Sequence, residues 1–293
     1  MHAISAAKIM NNRFDQLKTA PIFIVGAARS GTTWMYDIFT AHPEVAGVFE
    51  SWLFTRENGL GSLFSAAHWP PKHSGLGRYL SRDEVLVFAR QTAHAILGEA
   101  IQSGHHYLAE KSPSHLYAMK LIAEIFPEAK FIHVLRDGRD VCVSVRAAAH
   151  SWMPDWKRTF GGSMEASAKS WRDAVQRAQN DGKSLGNRFI EIRYETLKAD
   201  PIASYKMLFD FCDIPCTDAI LQAIFKKTDF DLNFKGNESG FRRGGRTGDW
   251  YSSFSLIDAY KFHRVAGELL ERIGYAADNQ WWWKFWWQRL RGK

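Results

Sequence analysis

Cysteine is almost missing from this chain: Cys142, Cys212 and Cys216 are the whole complement of its 293 residues. Their odd number, and a last spacing that fits neither a redox C-x-x-C nor a paired zinc motif, exclude a disulfide-stapled scaffold and predict reduced thiols in a cytoplasmic protein. No cluster of His, Cys and Asp has ligand spacing, so no metal is called for. Long hydrophobic runs are missing as well. The opening MHAISAAKIMNNRFDQLK lacks an uninterrupted apolar core of signal-peptide length, and no run approaches the ~20 apolar residues of a spanning helix, so the body of the protein is expected to be soluble. Internal repeats and low-complexity linkers are absent too, in keeping with one domain.

What is there is an ordinary globular composition, 46% hydrophobic and 24% charged, enough for one large α/β domain with insertions. The chain reads as a single domain over 1–278 followed by a Trp-rich basic amphipathic tail over 279–293. A net charge of +7 suits an anionic ligand or a negatively charged surface, and is too modest to call for nucleic acid. Strands alternate with helices: 22–25, 106–109, 130–135 and 188–192 read as strands. Helices are expected near 31–40, 82–102, 114–125, 138–149, 163–179, 201–212, 217–227 and 255–273. That alternation predicts a three-layer α/β/α fold around a central parallel sheet. Residues 51–80 and 150–162 are irregular and aromatic, either a mobile substrate-facing pair of segments or packed loops.

The stretch IFIVGAARSGTTW carries the strongest chemical signal. Ile22 to Val25 is a buried strand, Gly26 and Gly31 permit a tight turn, and the helix that follows offers free amides to an anion. The spacing matches the nucleotide-binding P-loop G-x-x-x-x-G-K-[ST] except that Thr32 stands where lysine belongs. The cradle still suits an oxyanion, but a kinase or ATPase reading loses its contact to the terminal phosphates. Arg29 is the one cation inside the loop.

Further motifs follow later strands, where open α/β sheets place ligands. In LRDGRDVCVS, Arg136 ends a strand and Ser144 lies eight residues on, two turns into a helix, which makes a clamp for a second phosphate. Taken alone, the Arg-Asp-Gly-Arg-Asp run reads more readily as a solvated helix start with local ion pairs. Tyr194 in EIRYETL follows another strand, and GFRRGGRTGDW gathers Arg242, Arg243 and Arg246 among glycines.

Together these motifs resemble the sulfotransferases that use 3′-phosphoadenosine 5′-phosphosulfate (PAPS), over most of the chain. The resemblance implies that Arg29, Ser30, Gly31, Thr32 and Thr33 hold the 5′-phosphosulfate, with Trp34 near the adenine. It implies Arg136 and Ser144 as ligands of the 3′-phosphate, Tyr194 beside the adenine, and Arg243 and Gly245 closing over the 3′-phosphate. The late motif departs from the family at Gly244, where a lysine is usual, and Arg242 or Arg246 stands in for it.

Sulfuryl transfer needs a base for the acceptor hydroxyl and positive charge on the departing oxygen. Arg29 and Lys111 suit the second task, and of the two only Lys111 can also donate a proton. The histidine that cytosolic members use as base is Pro113 here. The protein-tyrosine and heparan-type members that the chain resembles use a glutamate instead, some twenty residues past the loop, and Glu50 lies 21 residues past Arg29. Glu50 is the expected base and His115 the reserve, with Glu110 structural. A P-loop-like kinase and a non-catalytic nucleotide-binding module are the alternatives from other classes.

The tail NQWWWKFWWQRLRGK places tryptophans beside Arg289, Arg291 and Lys293. It suits the inner face of an anionic membrane, as a peripheral contact, or else a groove of its own chain or of a homodimer partner. The acceptor, a hydroxyl-bearing lipid, saccharide, small metabolite or peptide tyrosine, is left open by the sequence.

Overall fold

The computed structural model describes residues 14–57, 59–67, 75–229 and 245–291. Five parallel strands, β1 (Ile22–Gly26), β2 (Val45–Phe49), β3 (Tyr107–Lys111), β4 (Lys130–Leu135) and β5 (Phe189–Arg193), form one sheet in the order β2-β3-β1-β4-β5. The helices are α1 (Thr32–Thr40), α2 (Gly61–Ala67), α3 (Arg82–Gly98), α4 (Met119–Ile125), α5 (Gly138–Ala149), α6 (Met164–Leu185), α7 (Tyr194–Ala199), α8 (Pro201–Phe211), α9 (Asp218–Thr228), α10 (Asp249–Ser253), α11 (Leu256–Arg272) and α12 (Trp281–Leu290). Several begin where a hydroxyl can take an orphan amide: Ser81, Ser163, Thr217 and Ser255 each accept a backbone N–H of the first turn. Among the described residues, no helix is long and apolar enough to cross a membrane.

The three layers follow from the pleat. Alternate side chains of a strand point to opposite faces, and a parallel sheet covered on both sides is apolar on both. Phe23 and Val25 of β1 join a core with α3, α4, α5, α6 and α11, whereas Ile22 and Ile24 join a second core with α1, α8 and α9. The connections leaving β1 and β4 therefore run to opposite faces. These two strands are neighbours, so the crevice at their carboxyl ends is the topological switch point, where open α/β sheets bind ligands.

Differences from the sequence expectations have physical causes. The edge strand β2 is short and carries Gly47 at its centre, which weakens any strand signal. That glycine is required because α1 lies on it: a Cβ there would sit 2.4 Å from Thr40 Cγ2 and 2.5 Å from the Tyr36 hydroxyl. Strand β3 runs to Lys111, past the expected end at Ala109, with Glu110 and Lys111 fully buried. The helix expected over 114–125 is a 3₁₀ turn, Pro113–Tyr117, followed by α4, and α6 continues to Leu185. Within 51–80 the structure has α2 and a 3₁₀ turn at Leu76–Arg78, and within 150–162 a 3₁₀ turn at Pro154–Arg158. Arg242 and Arg243 lie outside the described residues.

Gly138, the first residue of α5, sets the height of the Arg136 turn. A Cβ at Gly138 would meet Trp171 Cδ2 at 2.4 Å, and the Trp171 indole donates to the Arg136 carbonyl at 3.1 Å. Gly138→Ala is expected to lower stability by roughly 1–3 kcal/mol, read as a drop in the urea midpoint. An unchanged midpoint would show that Trp171 is free to move.

Candidate active site

The loop between β1 and α1, the candidate phosphate cradle, is built by exclusion of side chains. Gly31 has φ 105°, and a Cβ there would meet the Tyr194 ring at 2.5 Å, so only glycine lets α1 start against this ring. Arg29, a non-glycine, is also held at φ 71°. No side chain caps the first turn of α1, which leaves its amides facing the cavity with the positive end of the helix. Ser30 is 1% exposed, and its hydroxyl has no hydrogen-bond partner among the described residues.

Arg136 joins this loop to the rest of the site. It is 8% exposed, lies 4.4 Å over the Tyr194 ring, and donates to the Arg29 carbonyl (3.2 Å) and the Arg246 carbonyl (2.8 Å). Its Nε has no partner among the described residues. Arg29 Nε donates to Ser144 Oγ at 3.2 Å, and its guanidinium lies 5.4 Å from the Trp152 ring. Arg29, Arg136 and Ser144 are thus brought together. Tyr194 is buried, with its hydroxyl donating to the Gly245 carbonyl at 2.9 Å, where Lys198 also donates at 3.1 Å. Trp34 is buried at an angle to Tyr194, and its indole donates to the Thr228 carbonyl at 2.8 Å. Thr32 is buried and Thr33 half-buried.

Glu50 and Lys111 form the second half. The registers of β1, β2 and β3 put Lys111 between the ends of Ile24 and Phe49. Fully buried, Lys111 donates to Glu50 Oε1 at 2.5 Å, and its ammonium lies 3.5 Å over the Phe49 ring. Burial pushes its pKa below the ordinary lysine range, opposed by the hydrogen bond and charge of Glu50. Glu50 and Trp52 both take positive φ, 48° and 50°. Such non-glycine conformations cost on the order of 1–3 kcal/mol each and persist only where the surroundings over-determine them. Here they do: Glu50 N donates to the Lys111 carbonyl (2.7 Å), Ser51 Oγ to Glu110 (2.8 Å) and Trp52 N to Ser112 Oγ (3.2 Å).

His115, the reserve base, is fully buried and engaged at both nitrogens. Its Nε2 accepts the Phe54 amide at 3.1 Å, so the proton resides on Nδ1, which donates to Glu110 at 2.9 Å. It supports the strained turn instead of facing an acceptor. Glu110 also accepts from Ser112 at 2.6 Å, the structural role expected of it.

One cavity of about 520 Å³ gathers these parts. Its walls include residues 26–29 and 31–34, with Arg136, Ser144 and Tyr194, and also Glu50, whereas the buried Ser30 and Lys111 are not among the lining residues; a largely apolar wall holds Trp52, Leu116, Tyr117, Trp152, Trp156 and Phe160. Both irregular aromatic segments thus contribute rings to the site.

Sequence reasoning missed Asp140. The Arg-Asp-Gly-Arg-Asp run is not a solvated helix start: Arg136, Asp137, Arg139 and Asp140 are all buried. Asp140 accepts the amides of Gly248 (2.8 Å) and Trp250 (2.9 Å) and so clamps the late segment over the cavity. Burial raises its pKa, partly countered by those two hydrogen bonds. Arg139 pairs with Asp137 at 2.7 Å and lies between Trp250 (3.9 Å) and Trp281 (4.9 Å), which ties the tail to the same segment. No local sequence signal marks this role, because the amides that Asp140 accepts lie 108 and 110 residues away. Asp140→Asn presents an NH₂ to a backbone N–H and is expected to cost about 1–3 kcal/mol in urea unfolding. Unchanged stability would mean that the clamp carries no load.

Comparison with known proteins follows the same residues. A family model described as the sulfotransferase family matches residues 21–218, more than half of the chain. Protein-tyrosine sulfotransferase 1 of Danio rerio is 31% identical over 206 residues, covering 68% of this chain and 55% of that protein. Omega-hydroxy-beta-dihydromenaquinone-9 sulfotransferase Stf3 of Mycobacterium tuberculosis is 26% identical over 226 residues, 74% of this chain and 55% of that protein. The chain spans about half the length of the curated relatives it matches. Mouse sulfotransferase SULT7A1 complexed with PAP aligns with a TM-score of 0.52 at 16% identity, over 89% of this chain and 88% of that one. Retinol dehydratase in complex with androsterone and inactive cofactor PAP aligns with 0.52 at 17%, over 91% and 85%. At these identities the two structures speak for the fold, and the family match, running from the phosphate loop through the Arg136 and Tyr194 motifs, assigns the chain to the sulfotransferase family.

Proposed function

We propose that this chain transfers the sulfuryl group of PAPS to an acceptor hydroxyl, with Glu50 as general base. The observation that carries the reading is a single cavity lined by the phosphate loop, by Arg136 with Ser144, and by Glu50. Two features of the walls fit a nucleotide with separated phosphates. The first is the close approach of Gly31 to the Tyr194 ring, which sets the uncapped start of α1 in the wall, and the second is Arg136 Nε, a buried polar atom of a lining residue left without a protein partner among the described residues.

The donor supplies an electrophilic sulfur and a bisphosphate leaving group. In this reading Ser30, Thr32, Thr33 and the amides opening α1 hold the 5′ side, and Arg136 with Ser144 the 3′-phosphate. Trp34 and Tyr194 flank the adenine, and Arg243 and Gly245 close over the 3′-phosphate. Glu50 takes the proton as the acceptor oxygen bonds to sulfur and the bridging S–O bond breaks. Arg29 and Lys111 offset the charge on the departing oxygen, and Lys111 can also protonate it. A phosphoryl-transfer reading is disfavoured by Thr32, which is buried where a P-loop lysine would have to reach the terminal phosphates.

The wall of Trp52, Leu116, Tyr117, Trp152 and Phe160 supports an acceptor whose hydroxyl sits on an apolar or ring-bearing body. The relatives named for tyrosine and for an omega-hydroxylated menaquinone are in line with that class.

Glu50→Gln keeps an oxygen for Lys111 but removes the base. It is expected to lower kcat by about 10²–10⁴-fold while leaving affinity for 3′-phosphoadenosine 5′-phosphate nearly unchanged. A fully active variant rules Glu50 out. Thermal shift should be larger with this bisphosphate than with ATP at equal concentration, and the reverse order would favour the kinase reading. As pH rises, Lys111 loses its charge at a lower pH than an ordinary lysine, so the rate should fall early on the alkaline side. Lys111→Arg, which stays protonated, should remove that limb; a limb retained in the variant assigns it to another group.

A further inference from the structure

Helix α12 divides its rings between two faces. Trp281 (7% exposed) and Phe285 (2%) point inward, with ring centroids 5.7 and 5.4 Å from Trp250, and Trp281 lies 6.0 Å from Phe262. These two, a helical turn apart, belong to the fold and support the Arg139 stack. Trp283 and Trp287, each 43% exposed, and Leu290, 57% exposed, point outward, and the half-buried Trp286 stacks on Trp283 at 4.9 Å. The outward patch continues onto α11: Trp282 lies between Trp283 (5.7 Å) and Tyr260 (5.5 Å), and Ile257 in the same turn is 66% exposed. Large rings left in water at this density mark a contact surface.

Charge selects the occupant. Residues 279–291 contain no acid, and the exposed Arg289 and Arg291 flank the rings, with Arg291 lying 5.5 Å over Trp287. A second copy would bring the same cations to the same face of a chain whose net charge is already +7, whereas an anionic lipid surface neutralises them. Tryptophan with flanking arginine suits headgroup depth, and a helix of 10 residues can lie in the interface but not cross it. We propose that the outward face of α12, Trp283, Trp286, Trp287 and Leu290 with Arg289 and Arg291, docks on an anionic bilayer surface while Trp281 and Phe285 stay in the core. The proposal goes beyond the reading of the active site and stands without it.

Removing the whole tail is a poor test, because it takes Trp281 away from Trp250 and Arg139. The test uses the full chain and the variant Trp283→Ser/Trp287→Ser/Leu290→Ser, which changes outward positions only, in co-sedimentation with phosphatidylcholine vesicles with and without phosphatidylglycerol. The full chain is expected to pellet with the anionic vesicles, to be released by salt, and to lose roughly tenfold or more in affinity on Arg289→Glu/Arg291→Glu. The serine variant should lose binding while keeping its melting temperature and its affinity for 3′-phosphoadenosine 5′-phosphate. Equal sedimentation with both vesicle types, or full binding by the serine variant, overturns the proposal. So does a dimer in analytical ultracentrifugation that the serine variant converts to monomer without any vesicle binding, since that makes the face a contact between copies.

Discussion

A buried arginine whose hydrogen-bond acceptors among the described residues are two backbone carbonyls holds this site together. Arg136 cannot lose its proton, and a guanidinium 8% exposed must be compensated by whatever surrounds it. Here the surroundings are the carbonyls of Arg29 and Arg246, the face of Tyr194, and the nearby carboxyl of Asp140. Each of those groups comes from a different part of the chain. The loop after β1, the start of α5, the end of β5 and the late segment therefore take their positions from one cation. In the proposed function an anionic donor would complete the compensation, which links the fold to that ligand class.

The other half of the site stores strain. Glu50 and Trp52 keep left-handed backbone because Glu110, Ser112 and His115, all fully buried, form a small polar network beneath them. A network of this kind stabilises only when every member is satisfied, and the His115 ring meets that condition by accepting from Phe54 and donating to Glu110. The result is a carboxylate presented to the cavity on a rigid turn, with an ammonium buried behind it. Histidine thus serves as scaffold, and the carboxylate lines the cavity.

Much of this was legible in the linear sequence. The apolar run before Gly26, the spacing to Gly31, and Arg136 at the end of KFIHVL carry local signals, because a buried parallel strand is a continuous apolar run and its ligand turn follows at once. Strand β4 and helix α5 lie at their expected limits for that reason. Strand β2 was not legible, since its pairing with β3 and its packing under α1 supply what its own five residues lack. Asp140 was not legible either: its role depends on amides more than 100 residues away.

The sequence by itself determined the architecture, the glycine-bounded loop after β1 and the family, because these rest on residue type and short spacing. Only the tertiary structure decided the rest: the network that occupies His115, the clamp that Asp140 makes, the contact of Arg29 with Ser144, and the division of the tail's tryptophans into core and surface. Each of these depends on which distant groups meet inside a low-dielectric interior. A helix of clustered rings with flanking cations is compatible with several partners until the fold buries Trp281 and Phe285 against Trp250 and leaves Trp283 and Trp287 exposed.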